Sequence, residues 1–442
     1  MKARLVPIYF EPGRDAGFDT QLAALRGLIG DRVELLAPVA LGRALPACEA
    51  VVFPQFLGEG YRRLADFKKI GVPILVITSE FGTLSMWDLE LIEYLRGEGV
   101  ATIAPYDLEQ TKRICAALTV KRELRETKFL VFQDNPGEGA QAPIFKRFYW
   151  WEDECTQRML ARFGVTIQKK SFKALGAESA AVSDAEAQAV LQRKPLPGPA
   201  GANVSGKPAL SAAKLYIAVK RHIDGDSNIR AVGINCLNES HFCDTTPCLA
   251  WNWLYEERQL LWGCEADTMA MLSKFILHRS LGLPIFMTNL YPFLMGMAAL
   301  KHEKIAAFPQ VAAEPENHIL IAHCGYMGVI PQSFSTRWSL KPKVLAIVDD
   351  NATAIDADFP VGPVTLAKLH PSMTRMTVAE AELTGYANFP GSDCLNGGVV
   401  KVRDGHKLMA TLSSHHYLVT TGHNRVQIGM IGKVFGFEVD EI

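Results

Sequence analysis

A chain of 442 residues has the length of roughly two to four domains and can bury sizeable cores. Its 46 basic and 47 acidic side chains leave a formal charge of −1. That balance gives no general attraction to nucleic acid or to an anionic membrane and points to a small neutral ligand. The opening segment 1–10 is broken by Pro7 and no apolar run of spanning length follows, so a cytoplasmic location is expected. Nine cysteines are too few for a disulfide scaffold, so reduced thiols are the expected state.

From the N-terminus, short apolar runs at 4–10, 50–56, 73–79 and 102–105 read as buried strands, separated by amphipathic stretches such as 19–29 and 87–97. Strands alternating with helices predict a parallel sheet covered on both faces, with ligands at the strand carboxyl ends. No glycine-rich dinucleotide or phosphate-loop signature follows any of these strands. A second unit of the same kind begins with a strand at 128–133, then a helix at 152–163 and a strand at 165–168. The Pro- and Gly-rich stretch 196–207 is a loop, either an exposed connection or a lid. Helix resumes over 211–223, followed by a strand at 231–236 and helices at 247–257 and 267–281.

Beyond about residue 303 the pattern turns β-rich. The runs 318–322, 343–348, 362–369, 398–402, 407–412 and 417–420 read as closely spaced strands, which predicts a barrel or sandwich. Asp404-Gly405 reads as a hairpin turn because both residues tolerate positive φ. The expected domains are therefore 1–124, 125–302 and 303–442, with a site carried by the second and completed by the third.

Several polar residues stand where chemistry is possible. Glu265, in Gly263-Cys264-Glu265-Ala266-Asp267, follows an apolar run that would bury it. A buried carboxylate needs a partner or a metal, so Glu265 is a ligand, an acid/base or half of an ion pair. Asp267 reads as the cap of the following helix. His323 ends a strand just before Gly325. His415-His416 precedes the last strand, where alternation sends adjacent side chains to opposite faces, so one of the two is expected to face a given pocket. Glu239 and Asp244 lie in a polar loop between a strand and a helix, a position that builds ligand pockets, with Thr245 or Thr246 expected to cap that helix. Cys236, Cys243, Cys248 and Cys264 lack paired zinc spacing and read as buried apolar thiols.

Taken in order, Gly233-Ile234-Asn235-Cys236-Leu237, Pro247-Cys248-Leu249-Ala250, Cys264-Glu265-Ala266-Asp267, Pro284-Ile285-Phe286-Met287 and Ile321-Ala322-His323-Cys324-Gly325 resemble the L-fucose isomerase and L-arabinose isomerase superfamily. Gly362-Pro363-Val364-Thr365 and His415-His416 fit the same likeness. The resemblance implies two Rossmann-like α/β domains, a C-terminal β-rich barrel-like domain, a homo-oligomer with sites near subunit contacts, and a cofactor of the Mn2+ class. It further implies an aldose–ketose isomerase in which a carboxylate removes the proton alpha to the carbonyl and the metal stabilises the ene-diolate. Glu265 matches the metal-binding and acid/base carboxylate, and His416 or His415 the metal histidine. Glu239, Asp244, His323 and His415 then fall to substrate binding. Asn289 stands in the catalytic and metal position where the superfamily has a second carboxylate. It offers an oxygen but no charge, which opens the site to compensation by Glu239 or Asp244. The same change admits two alternatives, a non-catalytic or regulatory carbohydrate-binding relative and a lyase or aldolase on the same scaffold.

Overall fold

The computed structural model describes all residues except 12, 57, 136–142, 145–151, 195, 197–203, 205, 293–310, 312, 325, 344, 390, 391, 393 and 394. The chain forms two compact units. The first comprises Met1–Arg125, Arg279–Gly282 and Val426–Glu438, and the second Glu126–His278, Leu283–Arg425 and Val439–Ile442.

In the first unit the apolar runs form strands β1 (Ala3–Tyr9), β2 (Val33–Leu35), β3 (Val39–Ala40), β4 (Ala50–Phe53), β5 (Ile74–Val76) and β6 (Thr102–Ile103). They make one parallel sheet in the order β2-β1-β4-β5-β6, with β3 also on β1. Helices Ala16–Ile29 and Leu108–Leu124 start where Asp15 and Asp107 accept hydrogen bonds from the amides of Phe18 and Gln110, the N-cap arrangement. Phe10, Phe53, Phe56 and Phe67 close the core on one face of the sheet.

The second unit opens with a parallel sheet of β7 (Lys128–Phe132), β8 (Thr166–Lys170), β9 (Ile229–Ile234) and β10 (Leu261–Cys264), in the order β10-β9-β7-β8. β7, β9 and β10 are mostly apolar runs, as strands covered on both faces require, while edge strand β8, Thr-Ile-Gln-Lys-Lys, is polar and only part-buried. The strands that follow are β11 (Ile285–Pro292), β12 (His318–Ala322), β13 (Arg337–Pro342), β14 (Thr353–Asp358), β15 (Gly362–Leu369), β16 (Arg375–Ala387), β17 (Gly397–Val402), β18 (His416–Thr421) and β19 (Glu438–Glu441). The sheet order β15-β18-β11-β12-β17-β16 is closed by pairing of β15 with β16, giving a six-stranded antiparallel barrel. Closure rests on β16, whose 13 residues pair with β15 along one part and β17 along the other. β19 adds to β16 outside the ring, and β13 and β14 form a separate ribbon.

The α/β and barrel classes read from the sequence are present, but several details differ. The barrel recruits its first strand, β11, ahead of residue 303, and 293–310 lie outside the described residues. The segment 343–348 is not a strand among its described residues, and Leu345 and Val348 instead pack over Ala352. The segment 407–412 is mostly helix, Gly405–Thr411, because Asp404 accepts a hydrogen bond from the amide of Lys407 and acts as its N-cap rather than as a hairpin turn. Neither threonine caps helix Cys248–Arg258; Thr246 instead bonds the backbone of Thr353 through its hydroxyl. Most of the loop 196–207 lies outside the described residues.

Candidate metal centre

One wall of the site is the turn after β10. Glu265 and Ala266 both adopt left-handed backbone angles, φ 51° and 57°, which are uncommon for residues with a Cβ. Such strained positions gather at functional sites. Gly233 and Gly263, paired in register on β9 and β10, make room for this turn. A Cβ on Gly233 would lie 2.9 Å from Ala266 Cα, and one on Gly263 2.9 Å from the Asp267 carbonyl oxygen. Asp267 then starts helix Thr268–Leu281, accepting from the Ala270 amide at 2.7 Å.

The opposite wall comes from the barrel. Asn289 on β11 is the register partner of His416 on β18 and of Ala322 on β12, which immediately precedes His323. Antiparallel pairing thus brings three residues distant in sequence to one edge. Glu265 Oε1 lies 3.7 Å from His416 Nε2 and 3.8 Å from His323 Nε2. One ligand atom each from Glu265, His415 and His416 fall within 4.8 Å of one another. The rings of His323 and His416 stack with centroids 5.3 Å apart, and those of His415 and His416 are 4.2 Å apart. His415 and His416 both reach the cluster, against the expectation of one, because β18 begins only at His416 and strand alternation does not bind its predecessor.

Behind these groups runs a buried polar chain. His416 Nδ1 meets Asp267 Oδ2 at 2.9 Å, and Lys368 Nζ donates to the same oxygen at 3.0 Å. His416 and Asp267 are 0% exposed and Lys368 1%. Burial alone would push His416 down, but the hydrogen bond to Asp267 and the charges of Glu265 and Asp267 outweigh it and lift the imidazole to about 9. Burial likewise works against ionised Glu265, yet the nearby charge of His416, with those of His323 and His415, holds its carboxyl well below the usual range. Asp267 is also held low, the charge of Lys368 overcoming burial. Desolvation pushes His323 down to about 4 and His415 to about 3, so both are neutral near pH 7 with lone pairs to give.

The buried atoms of this region without a hydrogen-bond partner include His323 Nε2 and Asn289 Oδ1. Buried polar atoms are rarely left so. Imidazole nitrogens, one carboxylate and an amide oxygen suit a divalent cation of intermediate hardness, such as Mn2+, Fe2+ or Zn2+. The Asp267–His416 contact is the outer-sphere support such ligands use.

No protein-family model matches the chain, and no curated protein does. A search of solved structures lists an ABC transporter solute-binding protein from Agrobacterium vitis, with alpha-D-tagatopyranose bound. It is similar at 16% identity over 53% of this chain and 76% of that one, with a TM-score of 0.15, far below that of a shared fold. No helix among the described residues is long and apolar enough to cross a membrane.

The other two acids singled out in the sequence are engaged elsewhere. Both carboxylate oxygens of Glu239 accept backbone amides of the loop after β7, from Asp134 at 3.0 and 3.1 Å and from Asn135. Asp244 is exposed and accepts from the Ser211 hydroxyl at 2.7 Å. The metal-capable cluster includes neither. Sequence reasoning missed Lys368, whose signal was a cation inside the apolar run of β15. It also missed Lys274, fully buried in helix Thr268–Leu281, whose Nζ donates to the Trp262 carbonyl at 3.0 Å and lies 3.7 Å from the Trp262 ring centroid.

Proposed function

We propose that the chain is a metal-dependent enzyme of the aldose–ketose isomerase type, acting on a sugar through an ene-diolate. The observation that carries this reading is the convergence of Glu265, His415 and His416, three metal-capable side chains in a strained turn and a barrel edge. Glu265, His416 and His415 would hold a cation of the Mn2+ class, with the Asn289 oxygen available as a neutral ligand. When bound, that cation supplies Lewis-acid polarisation of substrate oxygens. Glu265 is the carboxylate positioned to take the proton alpha to the carbonyl and return it to the neighbouring carbon. His323, neutral and 3.8 Å from Glu265, is positioned to hold a substrate hydroxyl. Asp267 fixes His416 through Nδ1 and so aims Nε2 toward Glu265.

One observation favours a second reading. With Asn289 in place of an acid, Glu265 is the single carboxylate in the cluster, and a carbohydrate-binding protein without turnover would need no more. The deciding experiment measures metal content of protein purified without chelator, then aldose to ketose conversion across a panel of pentoses and deoxyhexoses. Near-stoichiometric metal, lost in Glu265→Gln and His416→Asn, together with conversion of one sugar, is the expected result. Sugar binding without conversion selects the second reading. Failure to bind Mn2+, Fe2+ or Zn2+ removes the metal-enzyme reading.

A further inference from the structure

A cavity of about 280 Å³ lies between the β13–β14 ribbon and the barrel, where β16 ends and β17 begins. Arg337 stands directly opposite Asp358 in the ribbon, and Asp356, two residues along, shares the face that alternation gives to Asp358. The Arg337 guanidinium reaches both carboxylates. Its Nε donates to Asp358 Oδ2 at 2.8 Å, and its Nη2 to Asp358 Oδ1 at 2.7 Å and to Asp356 Oδ1 at 2.8 Å. Lys341 Nζ stands 3.9 Å from Asp356 Oδ2. The charged wall is thus balanced within itself and offers an anion no uncommitted cation. Elsewhere the lining includes Tyr326, Tyr386, Asn388 and Asn396. Two of these are used within the protein: the Tyr386 hydroxyl donates to the Phe359 carbonyl, and the Asn396 oxygen accepts from the Phe389 amide. The Tyr326 hydroxyl, the Asn388 amide and Arg337 Nη1 are engaged by no described residue. Burial and the charge of Asp356 push the Tyr326 phenol up, so its hydroxyl keeps its proton.

We propose that this cavity is a second binding site, separate from the metal centre, for one uncharged monosaccharide. Its volume falls at the lower end of ligand pockets, about 300 Å³ and upward, which fits a single sugar ring and not an oligosaccharide. Each sugar hydroxyl both donates and accepts. The groups left open match that mixture, with donors at Arg337 Nη1, the Asn388 amide nitrogen and the Tyr326 hydroxyl, and acceptors at Asp356 Oδ2, the Asn388 oxygen and the same hydroxyl. The two tyrosines add ring surface for the apolar C–H face of a sugar. A sugar phosphate would set its charge beside Asp356 and Asp358 while Arg337 is already shared between them, and such like-charge contacts exclude partners. The turn from His323 to Tyr326, closed by backbone hydrogen bonds at 2.5 and 3.2 Å, divides the two sites. His323 stands 3.8 Å from Glu265, whereas Tyr326 lines the cavity. Binding here calls for no metal, so the inference stands or falls apart from the proposed isomerase.

The test is titration calorimetry of the full-length, metal-free protein with D-glucose, D-galactose, L-fucose, D-ribose and D-glucose 6-phosphate. At least one of the neutral sugars is expected to bind one to one, and glucose 6-phosphate to bind about tenfold more weakly or not at all. Tyr326→Phe, with Asn388→Ala as a second variant at an exposed position, is expected to weaken that sugar by about three- to tenfold, the scale of one lost hydrogen bond. The Glu265→Gln, His416→Asn double variant is expected to bind it as the natural chain does. Asp356→Asn combined with Asp358→Asn leaves Arg337 without its carboxylates and is expected to strengthen glucose 6-phosphate binding by about tenfold or more. No heat from any neutral sugar overturns the site. Binding that disappears in the Glu265→Gln, His416→Asn protein but is unchanged in both Tyr326→Phe and Asn388→Ala places the sugar at the metal centre instead. Glucose 6-phosphate binding as tightly as the best neutral sugar, or gaining nothing when the two aspartates are replaced, overturns the uncharged class.

Discussion

Asp267 holds three partners at once: the amide of Ala270, the ammonium of Lys368 and Nδ1 of His416. Its capping role was legible from its place before a helix, but the other two contacts were not, because β15 and β18 are brought to it only by the fold. Replacing Asp267 by Asn keeps a capping oxygen and leaves Lys368 a buried charge without its counter-ion. A loss of about 3–5 kcal/mol is expected in urea denaturation, partly recovered in the Asp267→Asn, Lys368→Met double variant. Metal affinity should fall by about 10- to 100-fold in both, since His416 loses its support. Unchanged affinity in a folded Asp267→Asn protein would show that His416 needs no positioning. Lys274 gives a pH test. Desolvation pushes its ammonium from 10.5 down to about 7. Between those values the unfolded chain carries a proton that the folded core refuses, so this residue makes stability rise with pH from about 7 toward 10.5 and costs stability below 7. Lys274→Met should be more stable than the natural chain at pH 7, and the difference should shrink by pH 10. A constant difference across that range would mean the lysine stays charged in the core.

At the scale of elements, the parallel sheets were legible because most of their strands are short apolar runs, edge strand β8 being the polar exception, and the helices between them keep one apolar stripe. The barrel was legible in class and not in detail. β11 has the same buried pattern as a parallel strand and follows a helix, so local composition could not assign it to the antiparallel ring. Asp404-Gly405 fits a hairpin turn and a helix N-cap equally well by residue type, and the side-chain bond to Lys407 decides for the cap. Glycines separate close packing from open space more sharply. A Cβ on Gly397, at the start of β17, would lie 1.9 Å from the Ile321 carbonyl oxygen, whereas one on Gly27, in helix Ala16–Ile29, would meet nothing within 4 Å. Gly397→Ala must push β12 away from β17 and should cost at least about 1–3 kcal/mol, measured as a lower denaturation midpoint. Gly27→Ala should instead stabilise by about 0.5–1 kcal/mol through its helix propensity and the less flexible unfolded chain. Equal effects at the two positions would contradict the packing drawn for the barrel edge.

At the scale of the whole chain, the charge of −1 says little about function, because the ionised groups that matter are a handful buried together in the second unit. Asp267 and His416 stand 149 residues apart, and no local pattern links them. Glu265, His323 and the histidine pair could be singled out as residue types, yet the meeting of His323 with His416 depends on β12 and β18 both pairing with β11, a long-range property. The turn, the histidines and their buried supports all belong to the second unit, so a bound cation should stabilise that unit directly. A ligand that binds only the folded state adds about 2.7 kcal/mol at a concentration of one hundred times Kd. For a unit of this size that corresponds to a rise in Tm of about 4 °C. In scanning calorimetry of the metal-free chain, titrated with Mn2+ or Zn2+, the transition carrying the second unit should move upward by that order and return when chelator is added. Glu265→Gln and His416→Asn should abolish the shift, while Gly27→Ala, a change in the first unit, should leave it intact. A shift that persists undiminished in both site variants would place cation binding elsewhere on the chain and separate the buried cluster from any metal.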